Sequence, residues 1–281
     1  MKNLIYKLRH WNRDRKLKRS QRKIFDLNKS YKYRLAVLGI MKNEAMNICE
    51  WISHYQKEGV QAIYLIDNGS TDSTLNLLAP WVQSGFVKFI ALPERHKQID
   101  HYWTAIEKFK IKDDCQWLIV ADLDEFWFCK ARTSLFDSVS AFGDQDVIYV
   151  NWSIFGSNGY TNHPKSIRVS LTKRQAALGE NRFTKYLVRT SVLKEKATLG
   201  IHKIYLADSS RVISDNQTYQ INHYATQSQE YFKSVKMTRG DANNSYHDNT
   251  RTLDYFHKYD SLCDIEDIEL SSRLGSYYDA V

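Results

Sequence analysis

Short apolar segments alternate with amphipathic segments throughout the first half of this chain. Four apolar segments have the length and composition of strands buried on both faces, at residues 34–40, 62–66, 87–91 and 117–121. The segments between them place apolar residues at helical spacing, as Trp51, Ile52 and Tyr55 do within residues 45–58. Strands and helices in this order form right-handed βαβ crossovers. The pattern therefore predicts an α/β fold with a mostly parallel central sheet flanked by helices.

The fourth apolar segment runs directly into three carboxylates, Asp122, Asp124 and Glu125. Residues two apart in a strand share a face, so Asp122 and Asp124 are expected to project together. Two converging carboxylates repel one another unless a cation lies between them. A Mg²⁺-type ion, which binds through carboxylates, waters and substrate phosphates, would meet that need. The alternative is that both aspartates only begin a solvated loop.

A further aspartate, Asp67, follows the second apolar segment at the same predicted sheet edge. Ligands of open α/β sheets bind at this edge, so a nucleotide could reach from Asp67 to a metal at Asp122 and Asp124. The chain has neither a G-x-G-x-x-G turn nor a P-loop, so the metal would have to hold the phosphates. The alternative is that Asp67 only shapes its loop as an Asx-turn.

Composition bears on where the protein is found. No apolar run approaches the ~20 residues of a membrane span, and the N-terminus lacks the apolar core of a secretory signal. The cysteines at positions 49, 115, 129 and 263 are far apart and form no C-x-x-C pair. Scattered thiols favour a reducing compartment over a disulfide framework. We therefore expect a cytoplasmic protein.

The net charge of +8 is concentrated in an N-terminal arm. Residues 1–34 carry 13 Lys or Arg and 2 Asp, whereas the remaining residues carry 27 basic and 30 acidic side chains. The slightly acidic body argues against nucleic acid as a partner. The arm, taken as residues 1–33, has Leu4, Leu8 and Trp11 at helical spacing, and such a basic amphipathic helix suits the anionic inner face of a cytoplasmic membrane. The alternative is a helix that packs on the body or on a partner protein.

Short motifs recur in order along residues 34–245 and carry a family resemblance. They are Lys42-Asn43-Glu44, Asp67–Asp72, Asp122–Phe126, Asn151–Gly159, Lys185–Arg189, Asn222-His223-Tyr224 and Arg239-Gly240-Asp241. Together they resemble the GT-A glycosyltransferases, and more narrowly glycosyltransferase family 92 and related family-2-like bacterial enzymes. Residues 1–33 and the last thirty-odd residues lie outside this resemblance.

The resemblance implies a Rossmann-like GT-A domain over residues 34–245. Its nucleotide-sugar half would occupy residues 34–130, and its acceptor half residues 131–245. A C-terminal helical extension is expected over residues 246–281.

The acceptor half lacks the alternation of strands and helices seen earlier in the chain. Apolar and polar residues alternate in 183–189, 211–213 and 218–222, which predicts a mixed or antiparallel extension of the sheet. Residues 229–240 are predicted to form a helix, with cations at Lys233, Lys236 and Arg239.

The resemblance also implies a metal site and a nucleotide site. Mn²⁺ or Mg²⁺ would be held by Asp122 and Asp124 with one late histidine, and imidazole suits manganese. His223 is favoured for this position, and His202 is its rival. The residues expected near the nucleotide or its diphosphate are Lys42, Glu44, Asp67, Asp122, Lys236 and Arg239.

The implied reaction is transfer of a sugar from a UDP-sugar, for example UDP-galactose or another UDP-hexose, to a glycan or glycolipid acceptor in cell-surface polysaccharide biosynthesis. The resemblance favours inversion at the anomeric carbon, which requires a general base on the acceptor hydroxyl. The sequence suggests Asp241 for that base and leaves Glu125 and Glu180 open, although Glu125 could equally brace the acidic motif.

Two other classes of function remain open on the sequence alone. One is a non-catalytic carbohydrate- or lipid-surface binding protein on the same fold. The other is a metal-dependent nucleotidyltransferase, which would need a Gly-rich basic loop near the first strand. Gly39-Ile40-Met41-Lys42 is not such a loop.

Overall fold

The computed structural model of the protein describes residues 29–176, 180–206, 208–239 and 250–274. Residues 1–28 of the arm and the suggested base Asp241 lie outside the described residues. None of the helices within these ranges combines the length and the apolar character required to cross a bilayer.

The strands of the described chain belong to one sheet, and the first four of them run parallel. The strands are β1 (Tyr33–Met41), β2 (Ala62–Asp67), β3 (Val87–Ala91), β4 (Cys115–Val120), β5 (Glu125–Cys129), β6 (Val147–Phe155), β7 (Lys173–Arg174), β8 (Thr184–Arg189), β9 (Val212–Ser214), β10 (Tyr219–Tyr224) and β11 (Ile265–Glu266). β1 lies between β2 and β4, and β3 pairs with β2. The predicted parallel half is confirmed.

The second half of the chain extends the sheet on the far side of β4. β8 is antiparallel to both β4 and β6, whereas β10 is parallel to β6 and antiparallel to β5. Because β8 runs against β4, its first residues lie at the edge where β4 ends. The predicted mixed extension is therefore confirmed, and it meets the parallel half at the carboxyl edge.

Helices cover both faces of the sheet. The longer ones are Ile48–Lys57, Thr74–Gln83, Gln98–Lys108 and Leu253–Asp260, and the shorter ones are Ile111–Asp114, Leu135–Ser138, Ile167–Ser170 and Gln229–Tyr231. Short 3-10 turns lie at Val139–Ala141, Glu180–Arg182, Thr190–Val192, Lys196–Thr198 and Ser271–Arg273.

The predicted helix over residues 229–240 is only partly present. An α-helical turn at Gln229–Tyr231, capped by the Ser228 side chain, is followed by a π turn at Phe232–Lys236. A π turn is wider than an α turn and occurs frequently at functional sites. Over so few residues, the spacing of apolar side chains cannot distinguish an α turn from a π turn.

The described part of the C-terminal extension, residues 250–274, contains a strand as well as the predicted helix. After the helix Leu253–Asp260, residues Ile265–Glu266 form β11, which pairs antiparallel with β7. The Nε of Arg174 in β7 lies 2.6 Å from the Asp267 carboxylate beside β11. This tertiary pairing overrides the local helical preference of the acidic segment.

The core has two layers, one on each face of the sheet. Alternate residues of β1 serve different layers: Leu35 and Val37 pack with the helix Ile48–Lys57, whereas Ala36 and Leu38 pack with the helix Gln98–Lys108. All four side chains are fully buried. Each large apolar side chain that is buried in this way contributes roughly 1.5–3 kcal/mol.

A buried ion pair joins the two halves of the domain. The Glu50 carboxylate, on the helix Ile48–Lys57, accepts hydrogen bonds from Arg168 Nε at 2.8 Å, Ile167 N at 2.9 Å and Ser166 Oγ at 2.5 Å. The Arg168 side chain has no exposed surface. Because breaking a buried pair leaves an uncompensated charge, this contact is expected to be important for stability.

We predict that Glu50→Ala lowers the free energy of unfolding by about 3–5 kcal/mol, because it leaves the buried Arg168 without this carboxylate. The control is Asp100→Ala, which breaks a pair with Lys196 whose side chains are 52% and 54% exposed. Its cost should stay below about 1 kcal/mol. Urea unfolding followed by circular dichroism measures both. Equal effects of the two substitutions would contradict the role of Glu50.

Candidate functional site

The carboxylates that follow β4 lie in a turn whose shape is fixed by the helix Ile48–Lys57. Trp51 Nε1 donates to the carbonyl oxygens of Asp122 at 3.0 Å and Glu125 at 3.1 Å, and Tyr55 Oη donates to the same Glu125 oxygen at 3.0 Å. Glu125 Oε2 accepts a hydrogen bond from Asp122 N at 3.0 Å. The turn is therefore fixed by hydrogen bonds to its main-chain carbonyl groups and by the fully buried side chain of Glu125.

The prediction that strand geometry makes Asp122 and Asp124 project together is wrong. β4 ends at Val120 and β5 begins at Glu125, so neither aspartate is part of a strand and the two-residue alternation does not apply. The two carboxylates contact different lysines, Lys185 and Lys236.

Lys185 holds the first aspartate. Its ammonium, at the beginning of β8, lies 2.8 Å from Asp122 Oδ2 and 3.6 Å from Glu125 Oε1. Lys185 and Glu125 are completely buried, whereas the Asp122 side chain is 31% exposed. Asp122 therefore presents part of its carboxylate to solvent while a buried cation fixes the rest.

Burial and charge act in opposite directions on this network. Burial opposes the positive charge of Lys185. The carboxylates of Asp122 and Glu125 outweigh this effect and raise the pKa of Lys185 above its usual value. Burial, together with the charges of Asp122 and Asp124, raises the pKa of Glu125 well above its usual value despite the attraction of Lys185. Lys185 is thus a permanent cation.

Asp124, the second aspartate, has two nitrogen partners. Lys236 Nζ lies 2.6 Å from Asp124 Oδ2, and His223 Nε2 lies 3.5 Å from the same oxygen. Burial favours the neutral acid, but the charge of Lys236 and the contact with His223 outweigh it and hold the pKa of Asp124 well below its usual range. Asp124 is therefore a carboxylate in this structure.

Ligand atoms suited to a metal ion converge at this position. Asp124, Glu125 and His223 each offer one such atom, and these atoms lie within 4.8 Å of one another. Carboxylate oxygen and imidazole nitrogen are donors that suit Mn²⁺, and carboxylates alone suit Mg²⁺. The donor set fits a divalent cation, provided that the Lys236 ammonium leaves Asp124 Oδ2.

The two histidines considered for the metal site have different surroundings. His223, on β10, contacts Asp124, whereas His202 Nδ1 lies 3.0 Å from the carbonyl oxygen of Thr184. Burial and the nearby charge of Lys185 lower the pKa of His202. His202 is outside the group of converging ligand atoms, so the geometry favours His223.

Asp67 ends β2 at the same sheet edge, and its carboxylate shapes the loop that follows. It accepts hydrogen bonds from Ser70 N at 3.1 Å and Gly69 N at 3.2 Å. Gly69 has a φ of 84°, which an L side chain rarely adopts. These contacts are those of an Asx-turn, and a role in nucleotide binding stays a prediction.

Glu44 and Arg239 connect the end of β1 to the segment that carries Lys236. The Arg239 guanidinium bonds to the Glu44 carboxylate and to the carbonyl oxygen of Lys42. Tyr231 Oη donates to Glu44 Oε2 at 3.2 Å. Burial opposes the charge of Arg239, but Glu44 raises its pKa. Arg239 therefore anchors this segment over the site, and its suggested contact with diphosphate stays a prediction.

Sequence reasoning missed Lys185 as a residue of the site. Lys185 appeared only within one of the matched motifs. The alternation of apolar and polar residues in 183–189 predicted a strand but indicated no role for the Lys185 side chain. Its position depends on the antiparallel register of β4 and β8, in which Ile119 pairs with Leu187. That register is a long-range property, and no local signal in the sequence contains it.

With this geometry in place, the sequence can be compared with known proteins. The sequence profile of glycosyltransferase family 92 matches residues 37–260. The match covers most of the chain, and the chain belongs to this family.

Curated relatives of the chain are plant proteins of the same family. A family 92 protein of Oryza sativa subsp. japonica is 24% identical over 206 residues, which cover 71% of this chain and 34% of the relative. One of Arabidopsis thaliana is 24% identical over 226 residues, which cover 72% and 37% respectively. The chain therefore spans about a third of the length of these relatives.

Similarity to solved structures is more distant. Residues 1–349 of TarS from S. aureus align with a TM-score of 0.44 at 17% identity, which covers 66% of this chain and 60% of TarS. GalNAc-T7, crystallised with UDP, GalNAc and Mn²⁺, aligns with a TM-score of 0.43 at 13% identity, which covers 88% of this chain and 54% of GalNAc-T7.

We predict that Lys185→Met lowers the free energy of unfolding by about 3–5 kcal/mol, because it leaves Asp122 and Glu125 side by side without their cation. The double variant Lys185→Met/Glu125→Gln should recover part of this loss. Lys203→Met, at an exposed position, is the control and should stay within about 0.5 kcal/mol of the wild-type protein. Urea unfolding at pH 7 tests all three. The network is refuted if the double variant is no more stable than the single one.

Proposed function

We propose that this protein transfers a sugar from a UDP-sugar to a glycan or glycolipid acceptor, with the help of Mn²⁺ or Mg²⁺. The observation that carries the proposal is the convergence of Asp124, Glu125 and His223 at the carboxyl edge of a parallel sheet. This edge is where open α/β sheets bind their ligands. Membership of glycosyltransferase family 92 makes sugar transfer the matching class of reaction.

The proposed cation would be held chiefly by Asp124 and His223. When bound, it supplies positive charge next to the diphosphate that departs with UDP. Lys236 Nζ now contacts the oxygen that a cation would use, so the ammonium must move when the cation binds. Its 18% exposed side chain sits on the π turn, and in its new position it could still contact the diphosphate.

Asp122 and Asp67 are proposed to bind the nucleotide. The carboxylate of Asp122, partly exposed and fixed by Lys185, can accept hydrogen bonds from a ribose or bind a metal-bound water. Asp67 is the last residue of β2, and β1 lies between β2 and β4 in the sheet. We therefore place the nucleoside over β1 and β2, and the sugar at the end of β4.

Transfer with inversion requires a base beside the acceptor hydroxyl. We retain Asp241 as the proposed base, because it is only two residues from Arg239, which is anchored to Glu44 beside the site. Glu125 is a poor choice, since it is fully buried and its Oε2 is engaged by Asp122 N.

We predict that Asp124→Asn weakens Mn²⁺ binding by more than about 100-fold. Loss of a residue that only hydrogen-bonds to a metal ligand costs about 10- to 100-fold, and Asp124 is proposed to be a ligand itself. UDP release from a panel of UDP-sugars in the presence of Mn²⁺ should be lost with it. Mn²⁺ affinity is measured by electron paramagnetic resonance, and Asp100→Asn is the isosteric control at an exposed site. Wild-type Mn²⁺ affinity in Asp124→Asn would contradict the proposed metal site.

We further propose that residues 1–33 attach the protein to the inner face of the cytoplasmic membrane, where a lipid-linked acceptor would lie. The support is their excess of basic residues together with apolar residues at helical spacing. Cell-surface polysaccharide biosynthesis is the process in which such an acceptor would be used.

We predict that deletion of residues 1–30 abolishes binding to anionic liposomes while UDP release is maintained. High salt should weaken binding of the full-length chain only in part, because at 1 M the Debye length falls to about 3 Å but apolar burial is not screened. Vesicle flotation measures both effects. Absence of binding by the full-length chain at low salt would refute the membrane role.

A further inference from the structure

An aromatic cluster adjoins the carboxylates on the side of β6 and β8. We name Trp152, Phe183, His202 and His223 the aromatic wall. Trp152 is its centre, since the centroid of its ring lies 4.2 Å from that of His223, 5.2 Å from that of His202 and 5.5 Å from that of Phe183. Main-chain contacts hold the wall together: Trp152 N donates to the Phe183 carbonyl oxygen at 2.9 Å.

The aromatic wall leads from the protein surface to the proposed metal site. Phe183, at its outer end, is 39% exposed, although it is a large apolar side chain. His223, at its inner end, is 12% exposed and contacts Asp124. A ligand that lies along the wall therefore has one end in solvent and the other beside the carboxylates.

The aromatic wall also carries polar atoms that have no protein partner. Trp152 Nε1 and His223 Nδ1 are buried and make no hydrogen bond within the described part of the chain. The Arg182 guanidinium, 5.3 Å from the centroid of the Phe183 ring, adds further donors at the rim. Since the two ring nitrogens have no accessible surface, the exposed Arg182 guanidinium is the donor at the wall that a hydroxyl group of a bound ligand can reach.

The sheet order determines which ligand the aromatic wall can reach. β6 and β8 lie on one side of β4, whereas β1 and β2, with Asp67, lie on the other. The wall therefore approaches the carboxylates from the side opposite the proposed nucleoside position. A second substrate that lies on the wall would meet a donor sugar at the end of β4.

We propose that the aromatic wall binds a sugar ring of the acceptor, so that the acceptor is a carbohydrate at the point of attack. Aromatic faces with a few placed polar groups are the usual lining of sites for small organic ligands. A sugar ring presents apolar C–H faces to the exposed Phe183 and the partly exposed Trp152, and its hydroxyls can accept hydrogen bonds from the exposed Arg182 guanidinium. This inference rests on the proposed function, since it assigns the second substrate of the same site.

The test uses saturation-transfer NMR with the methyl glycosides of glucose, galactose, N-acetylglucosamine and N-acetylgalactosamine. They are added to the full-length protein in the presence of UDP and Mn²⁺. At least one glycoside should bind the wild-type protein, and Phe183→Ala should weaken that binding by about tenfold. Trp152→Phe, which keeps an aromatic ring but reduces its area, should weaken it by a smaller factor. Leu75→Ala is the control, because Leu75 is also 39% exposed and lies on the helix Thr74–Gln83.

Separate measurement of UDP affinity by calorimetry distinguishes this inference from the proposed function. UDP affinity should be the same in Phe183→Ala as in the wild-type protein. The inference is overturned if no glycoside binds the wild-type protein, or if both wall variants bind as it does while UDP still binds. Failure of the wild-type protein to bind UDP would instead overturn the proposed donor.

Discussion

The buried ammonium of Lys185 is the charge on which the geometry of the site depends. It contacts the carboxyl groups of Asp122 and Glu125 at the point where the parallel half of the sheet meets its antiparallel extension. Without a cation at this point, two acids would be forced together at low dielectric, at a cost of several kcal/mol. Because β8 begins beside the acidic turn, Lys185 can reach its side chains. The charge of this lysine lets the acids lie close together in a turn of fixed shape.

The second aspartate is balanced in a different way. Asp124 is neutralised by Lys236, whose side chain is partly exposed and belongs to a π turn instead of a strand. One lysine is thus completely buried, and the side chain of the other is 18% exposed. This difference is the basis of our proposal that a metal ion takes the place of the Lys236 ammonium and not that of Lys185.

Much of the fold could be predicted from the sequence, because apolar periodicity and segment length determine strands and helices locally. The position of the acids after β4 was predicted for the same reason. Their partners were not, because Lys185 reaches Asp122 through the register of β8, and Lys236 reaches Asp124 through a π turn. The two aspartates were expected on one strand face because the strand was taken to continue through the acids, whereas β4 ends at Val120.

The central claim is that a divalent cation binds at Asp124 and His223 in place of the Lys236 ammonium. The most direct test is a crystal structure of the protein with UDP and Mn²⁺, with anomalous data collected at the manganese edge. We expect an anomalous peak at coordination distance from Asp124 and His223, with Lys236 moved away from Asp124. A peak elsewhere, or none, with Lys236 still in contact with Asp124 would contradict it.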